Sequence, residues 1–506
     1  MERIDRRQFI EGVTVAGAAS LAVGLDTAPA EAQAPAGRKL GTCGPPPRKN
    51  PTRQTSAEGM PPLPLPAVPL RRSEPKAEPA PPLMIAKMEY GTTQDWNTDP
   101  GDIDNLMRHV RSAVGLWYGW KQMSMAELVA IYKGGKECKI PSLYLSGHEG
   151  FTFSPAERSA VAQYLHDGGS IIADACCGRK EFGDAFRVEM KKMFPKRPME
   201  RLELDHPVFR AFHKYSTVNF RTYRGTTKID TVGPPDLFGV NLGCRAAVLF
   251  SPHDLSCGWD EHTHDHGDRL LPGDAIRLGI NIVSYVAALR QVAEVQSVTR
   301  EVAGKNERKR AQFVLAQLKH QGDWDPDPNS TVQLLRTVSS VTSLAVAFEH
   351  RAVDAKEIQL AKFPFLYMTG FKDPRLTDDE TGALRRHLQA GGFLFVNNCS
   401  GYAAFDKHVR GMASRLFPDQ KLEKVGKEHK LFKSFYNITG GKDRQSGEPR
   451  DIELEGIRIK DRLVMVYSKN DMVTHLKLVS DPFGNGYDAD TCRKMAVNVV
   501  SYAMQN

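Results

Sequence analysis

The chain repeats itself, and no other feature limits its fold as strongly. Asp95-Trp96 and Asp99-Pro100 return as Asp323-Trp324 and Asp327-Pro328. LYLSG (143–147) returns as LYMTG (366–370), and the capping box Ser154…Glu157 returns as Thr377…Glu380. HDGGSIIADACCG (166–178) returns as QAGGFLFVNNCSG (389–401). His206-Pro207-Val208-Phe209 matches His429-Lys430-Leu431-Phe432, Ser251…Asp254 matches Ser468…Asp471, and Asn281…Tyr285 matches Asn498…Tyr502. Matches kept in one order imply two copies of one domain, over 84–290 and 311–506, with a polar connector at 291–310.

Each copy carries the signature of a parallel sheet. SLYLS is a short apolar run without proline, as expected of a strand buried on both faces. Ser154-Pro155-Ala156-Glu157 starts a helix with a capping box and proline at its first position, and Gly168-Gly169 ends it. SIIADA is the next buried strand. This βαβ unit makes its two strands parallel. Ligands in such sheets bind beyond the carboxyl ends of the strands, so His148, Glu149, Asp174, Cys176 and Cys177 are expected around one mouth.

The region before the repeats cannot build a core. Arg6-Arg7 followed by a weakly apolar run to Leu25 and by Ala32-Gln33-Ala34 reads as a twin-arginine signal peptide over 1–34. Residues 35–83 hold 14 of the 32 prolines and read as an extended linker whose PPLPLPAVPL run (61–70) is able to meet a cell-envelope partner. The expected product is a periplasmic or otherwise exported protein with no transmembrane span after cleavage. The formal charge is +8, and the linker alone carries eight Lys/Arg against three Glu. No basic patch is interleaved with aromatic residues, which argues against a nucleic-acid partner.

The two copies agree on scaffold and differ at the mouth. His148-Glu149 becomes Phe371-Lys372, Asp174 becomes Asn397, and Cys177 becomes Ser400. AAVLFSPHDLSCGW (246–259) becomes LVMVYSKNDMVTHL (463–476), losing Cys257 and Trp259. The first copy reads as active and the second as degenerate, kept for support or partner binding. The ligand inventory of the first copy is His148, Glu149, Asp174, Cys176, Cys177, His206, His253, Asp254 and Cys257. Mixed thiolate, imidazole and carboxylate donors suit zinc, iron or copper.

Three readings of that inventory stand side by side. His148, Glu149, Asp174, Cys177, His206, Asp254 and Cys257 supply metal ligands, not all at once. Alternatively Cys177 and Cys257 form a disulfide, which accounts for their joint loss from the second copy and leaves a non-catalytic envelope scaffold. In the third reading Cys176 or Cys177, at a strand-to-helix turn with His148 and Glu149 nearby, is the nucleophile of a thiol hydrolase. Cys176, kept as Cys399, also fits a small buried hydrophobe, and His206, kept as His429, fits a structural histidine. The tract Glu261 to His266 reads as a solvated loop with weak chelating capacity.

The run from LYLSG through DACCG, then LDHPVF (204–209) and SPHDLSCGW (251–259), with the opening Asp95-Trp96…Asp99-Pro100, resembles a bacterial family known as domain of unknown function 4159. The resemblance is strong over 84–290 and weaker over 311–506. It implies two tandem α/β domains of flavodoxin-like fold, related to class I glutamine amidotransferase domains, with parallel sheets. It implies no activity, and the turn around Cys176 lacks the amidotransferase motif, so no catalytic triad is carried over.

Overall fold

The computed structural model describes residues 80–505 apart from 263–265, 298–311, 349–350, 357 and 477–480. The stretch expected to be a twin-arginine leader, nearly all of the expected linker, most of the expected connector and the middle of the histidine tract lie outside the described residues.

The first domain runs β1 (Leu83–Glu89), α1 (Asp102–Val114), β2 (Gly119–Ser124), α2 (Met125–Lys133), β3 (Ser142–Gly147), α3 (Pro155–His166), β4 (Ser170–Ala175) and α4 (Lys180–Met193). It continues with β5 (Glu200–Arg201), β6 (Val218–Arg224), β7 (Thr227–Gly233), β8 (Phe238–Leu242), β9 (Arg245–Ser251), α5 (Ser256–Trp259), β10 (Arg269–Leu270) and α6 (Pro272–Ser297). The main sheet has the order β2-β1-β3-β4-β9-β8-β5. Its first five strands are mutually parallel in the flavodoxin-like order. The last two are antiparallel additions, because Gly243-Cys244 is a two-residue turn that permits only a hairpin between β8 and β9. Strands β6, β7 and β10 form a separate antiparallel sheet.

Strand alternation divides the core. Leu143 and Leu145 of β3 pack with α2, α3 and α4, whereas Tyr144 faces the layer formed with α1 and α6. Every residue of β3 and β4 is buried, as two-sided coverage requires. Helix α3 starts on its capping box, with the Ser154 hydroxyl accepting from Glu157 N and the Glu157 carboxylate accepting from Ser154 N.

The second domain repeats the plan with β11 (Ala316–Leu318), α7 (Ser330–Val341), β12 (Arg351–Val353), β13 (Phe365–Gly370), α8 (Asp378–Gln389), β14 (Phe393–Asn398) and α9 (Ala403–Leu416). There follow β15 (Glu423–Lys424), β16 (Gly441–Lys442), β17 (Pro449–Arg450), β18 (Leu454–Ile459), β19 (Arg462–Ser468) and α10 (Ala489–Gln505). Its sheet order, β12-β11-β13-β14-β19-β18-β15, matches the first strand for strand. Several of the repeated residues are clamps. Asn281 accepts from His213 N and donates to the carbonyls of Val208 and His213, and Asn498 does the same with Tyr436 and Leu431. Tyr285 Oη accepts from Ala246 N as Tyr502 Oη accepts from Leu463 N.

The domains meet head to tail. A disulfide joins Cys244, in the β8–β9 hairpin of the first domain, to Cys399 at the mouth of the second. Around it Arg197 pairs with Asp323 at 3.0 Å, Glu200 pairs with Lys372 at 2.7 Å and with Arg375 at 3.6 Å, and the Tyr285 ring stacks on Phe483.

Candidate functional site

Three loops converge at the carboxyl ends of β3, β4 and β9. After β3, Gly147 is followed by His148 and Glu149, whose backbone N–H groups both donate to Asp95 Oδ2 at 2.8 Å. A side chain at residue 147 would collide with Tyr90 Oη and Asp95 Oδ2, so glycine is what lets that carboxylate close on the strand end. Asp95 Oδ1 also lies 3.3 Å from His148 Nδ1.

After β4 the chain turns sharply, with Cys177 at φ +56° and Gly178 at φ +67°. A left-handed cysteine is a costly conformation that the surroundings must enforce. Here Asp254, after β9, does so: its Oδ2 accepts from Cys177 N at 2.9 Å, while its Oδ1 accepts from Cys257 N at 2.9 Å and from Ser256 Oγ. Asp174, at the end of β4, accepts from Tyr144 Oη and from the backbone N–H groups of Leu255 and Ser256. Asp254 thereby fixes the two cysteine loops to each other, and Asp174 holds the second loop from behind.

The result is a compact buried cluster. Cys176, Cys177, Cys257 and Asp254 each present a ligand atom, all within 4.8 Å of one another. The Cys176 and Cys257 sulfurs are 3.9 Å apart, and Asp99 Oδ2 accepts from them at 3.3 and 3.5 Å. Behind Asp99 the buried Lys87 ammonium donates to the Asp99 carbonyl at 2.6 Å and pairs with Asp102 at 2.8 Å.

Burial dominates the electrostatics of the carboxylates, and hydrogen bonding that of the thiols and His148. Asp174 is pushed up to about 7 by burial and then by Asp254, and Asp254 to about 7 by burial and then by Cys176. Asp102 also reaches about 7, since burial outweighs the pull of Lys87. Hydrogen bonds from Cys176 and Cys257 hold Cys177 down to about 5. The same bonding pushes Cys176 up to about 12 and Cys257 higher still. Bonding to Cys176 raises His148 to about 9. Three thiols and several acids share one low-dielectric space, which disfavours full ionisation unless a cation enters.

Of the residues expected from the sequence, Cys176, Cys177, Asp254 and Cys257 come together. His148 stands at the rim, and Glu149 joins it with Gly150, Arg179, Glu181 and His266 in lining an open cleft of about 470 Å³. Asp174 braces the cluster through the contacts already described. His206 is committed elsewhere: its Nδ1 accepts from Val208 N and its ring packs on Tyr285, as His429 does with Leu431 and Tyr502. His253 faces Asp236 and Phe220. The alternative of a Cys177–Cys257 disulfide is not realised: both residues are thiols, and among the described residues the bridge lies at Cys244–Cys399. In the histidine tract, His262 N donates to the Cys257 carbonyl and His266 reaches the cleft. Asp95, Asp99 and Lys87 were not nominated from the sequence; the repeated Asp-Trp…Asp-Pro pattern was the signal for the two aspartates.

The family profile described as domain of unknown function (DUF4159) matches residues 84–287 and again 314–504. The chain belongs to this family, in two tandem copies. No curated protein matches it. The two DUF4159 copies share the sheet and the clamps, yet the second carries Gln317 for Lys87, Ser330 for Asp102, Asn397 for Asp174, Ser400 for Cys177 and Thr474 for Cys257. Ser400 keeps the left-handed turn at φ +57°, and its N–H donates to Asp471 as that of Cys177 does to Asp254. The second domain keeps the same sheet order with these replacements in place.

Proposed function

We propose that the first domain binds a thiophilic transition-metal ion, zinc in the first place and iron or copper as alternatives, through Cys176, Cys177, Cys257 and Asp254. The observation that carries this reading is the approach of three sulfurs and a carboxylate to within 4.8 Å in a buried shell. A tetrahedral zinc site with Zn–S bonds of about 2.3 Å sets its sulfurs about 3.8 Å apart; Cys176 and Cys257 stand at 3.9 Å. A divalent cation would also offset the negative charge that these residues acquire on losing their protons. Asp99, touching two of the sulfurs, is the next candidate ligand. The charged cleft beside His148 gives a small polar ligand a route to the site.

The test is elemental analysis of the protein isolated from its native route, with a cobalt(II) titration read in the thiolate charge-transfer bands. About one equivalent of metal is expected, lost in Cys177→Ser and Cys257→Thr, the replacements that the second domain already tolerates. Absence of metal from the wild type together with no cobalt–thiolate band would overturn the reading. A second reading, a thiol hydrolase, draws on the left-handed Cys177 at a strand end and on His148, which bonds to the adjacent Cys176. It requires rapid alkylation of Cys177 in metal-free protein and turnover of an activated ester, and a metal site requires that added zinc protect the same thiol.

We further propose export by the twin-arginine route to the periplasm, with the proline-rich arm or the second domain meeting a cell-envelope protein. Arg6-Arg7 and the interdomain disulfide support an oxidising destination. Among the described residues no helix is long and apolar enough to cross a membrane. Cytoplasmic retention of an Arg6→Lys/Arg7→Lys variant is the expected result; unchanged fractionation would remove the proposal.

A further inference from the structure

The mouth of the second domain is filled by the first domain. Cys399 is the counterpart of Cys176, whose sulfur neighbour in the first mouth is Cys257. In the second mouth that neighbour has become Thr474, and the missing sulfur arrives from the other domain as Cys244. The rim has changed to match. Asp323, the copy of Asp95, receives Arg197; Lys372, the copy of Glu149, receives Glu200; Phe483, in the place of His266, stacks on Tyr285. Cys244 Sγ also lies 3.8 Å from the Pro326 carbonyl oxygen. Where the first domain has a charged open cleft, the second has a socket shaped to the hairpin end and edge of its neighbour.

We infer that this socket is a redox-operated joint, opened when a dithiol reduces Cys244–Cys399. Thiolate attack by the dithiol on one sulfur gives a mixed disulfide and releases the other cysteine. The second thiol of the reductant then displaces the remaining one, so two electrons and two protons pass to Cys244 and Cys399 while the reductant closes its own disulfide. Once the bridge is gone, the contacts described at the joint are the pair of Arg197 with the buried Asp323, the partly exposed pairs of Glu200 with Lys372 and Arg375, which hold little, and the Tyr285–Phe483 stack. The hairpin leaves, and Cys399 and Phe483 meet solvent. Metal in the first mouth is not needed for any of this.

Non-reduced peptide mapping of the full chain and hydrogen exchange with and without dithiothreitol test the joint. The mapping is expected to return a Cys244–Cys399 linked peptide. Reduction is expected to speed exchange at least tenfold over 322–327, 370–375 and 399–402, and Cys244→Ser to reproduce that pattern without reductant. Because Cys244→Ser involves no reductant, it separates opening of the joint from any effect of dithiothreitol on the first mouth. Free Cys244 and Cys399 in air-isolated protein, or unchanged exchange after verified reduction, would overturn the inference.

Discussion

Cys177 N donates to Asp254 Oδ2 at 2.9 Å, and 223 positions later Ser400 N donates to Asp471 at 2.7 Å. One carboxylate therefore holds the same left-handed turn in both domains, whatever side chain the turn displays. Asp254→Asn and Asp471→Asn each leave a buried N–H facing an amide, at a cost of about 1–3 kcal/mol. Similar losses of stability in urea are expected for the two variants, but only Asp254→Asn should weaken cobalt binding. Equal effects on metal would separate Asp254 from the centre.

Lys87 and Asp102 are a buried ion pair, and their counterparts are Gln317 and Ser330. Removing one partner of such a pair costs about 3–5 kcal/mol, whereas exchanging both is often nearly neutral. Lys87→Gln is thus expected to be severely destabilising and Lys87→Gln/Asp102→Ser to recover most of the loss. A double-mutant cycle by denaturant unfolding measures the coupling; additivity of the two single variants would contradict the pairing.

Gly147 admits no side chain while Asp95 clamps the loop after β3. Gly147→Ala is expected to cost about 1–3 kcal/mol by overpacking and to release His148 from its place at the rim. Slow exchange of the His148 and Glu149 amides in the wild type, and its loss in the variant, is the readout.

The His206 ring is pushed down to about 3 by burial, with Arg210 and Lys372 adding to the effect. An unfolded histidine titrates near 6.5. Between those values the unfolded state binds the extra proton, so this group's contribution is complete above about pH 6.5 and is lost as pH falls toward 3. His206→Asn keeps an acceptor for Val208 N and should flatten the acid limb of the stability curve by up to about one proton. A limb unchanged between pH 6 and 4 would assign the acid sensitivity to other groups.

What the sequence displays is what local chemistry writes. The capping boxes Ser154–Glu157 and Thr377–Glu380, and the all-buried runs SLYLSG and FLFVNN, are settled by neighbouring residues and were legible without coordinates. The strand β8 was not, because FGVNL gives a weak signal and its hairpin turn is only Gly243-Cys244. Cys176, Cys177 and Cys257 could be gathered at one mouth from strand order alone, and so could Asp254. Asp99 could not, since it arrives on a loop that folds back from β1 and is held by Lys87. His206 carries no mark that distinguishes a ligand from a cap; only its bond to Val208 N does. Cysteine pairing across 155 residues leaves no trace in spacing, which is why Cys244–Cys399 stayed hidden and Cys177–Cys257 was weighed in its stead.

Head-to-tail packing is a heterologous contact, the kind that either closes into a ring or runs on as a fibre. A chain that stacks its own two halves this way has a free mouth at one end and a free hairpin at the other, and a further molecule would need only the same join. The sequence denies it. The hairpin of the second domain offers Asp461 where the first offers Cys244, and Gln420 and Glu423 where the first offers Arg197 and Glu200. Against the first mouth, Glu423 would meet Glu149 in place of Lys372. These replacements disfavour the same join between molecules, and they leave the thiols of the first mouth without a cysteine-bearing hairpin of this chain to pair with.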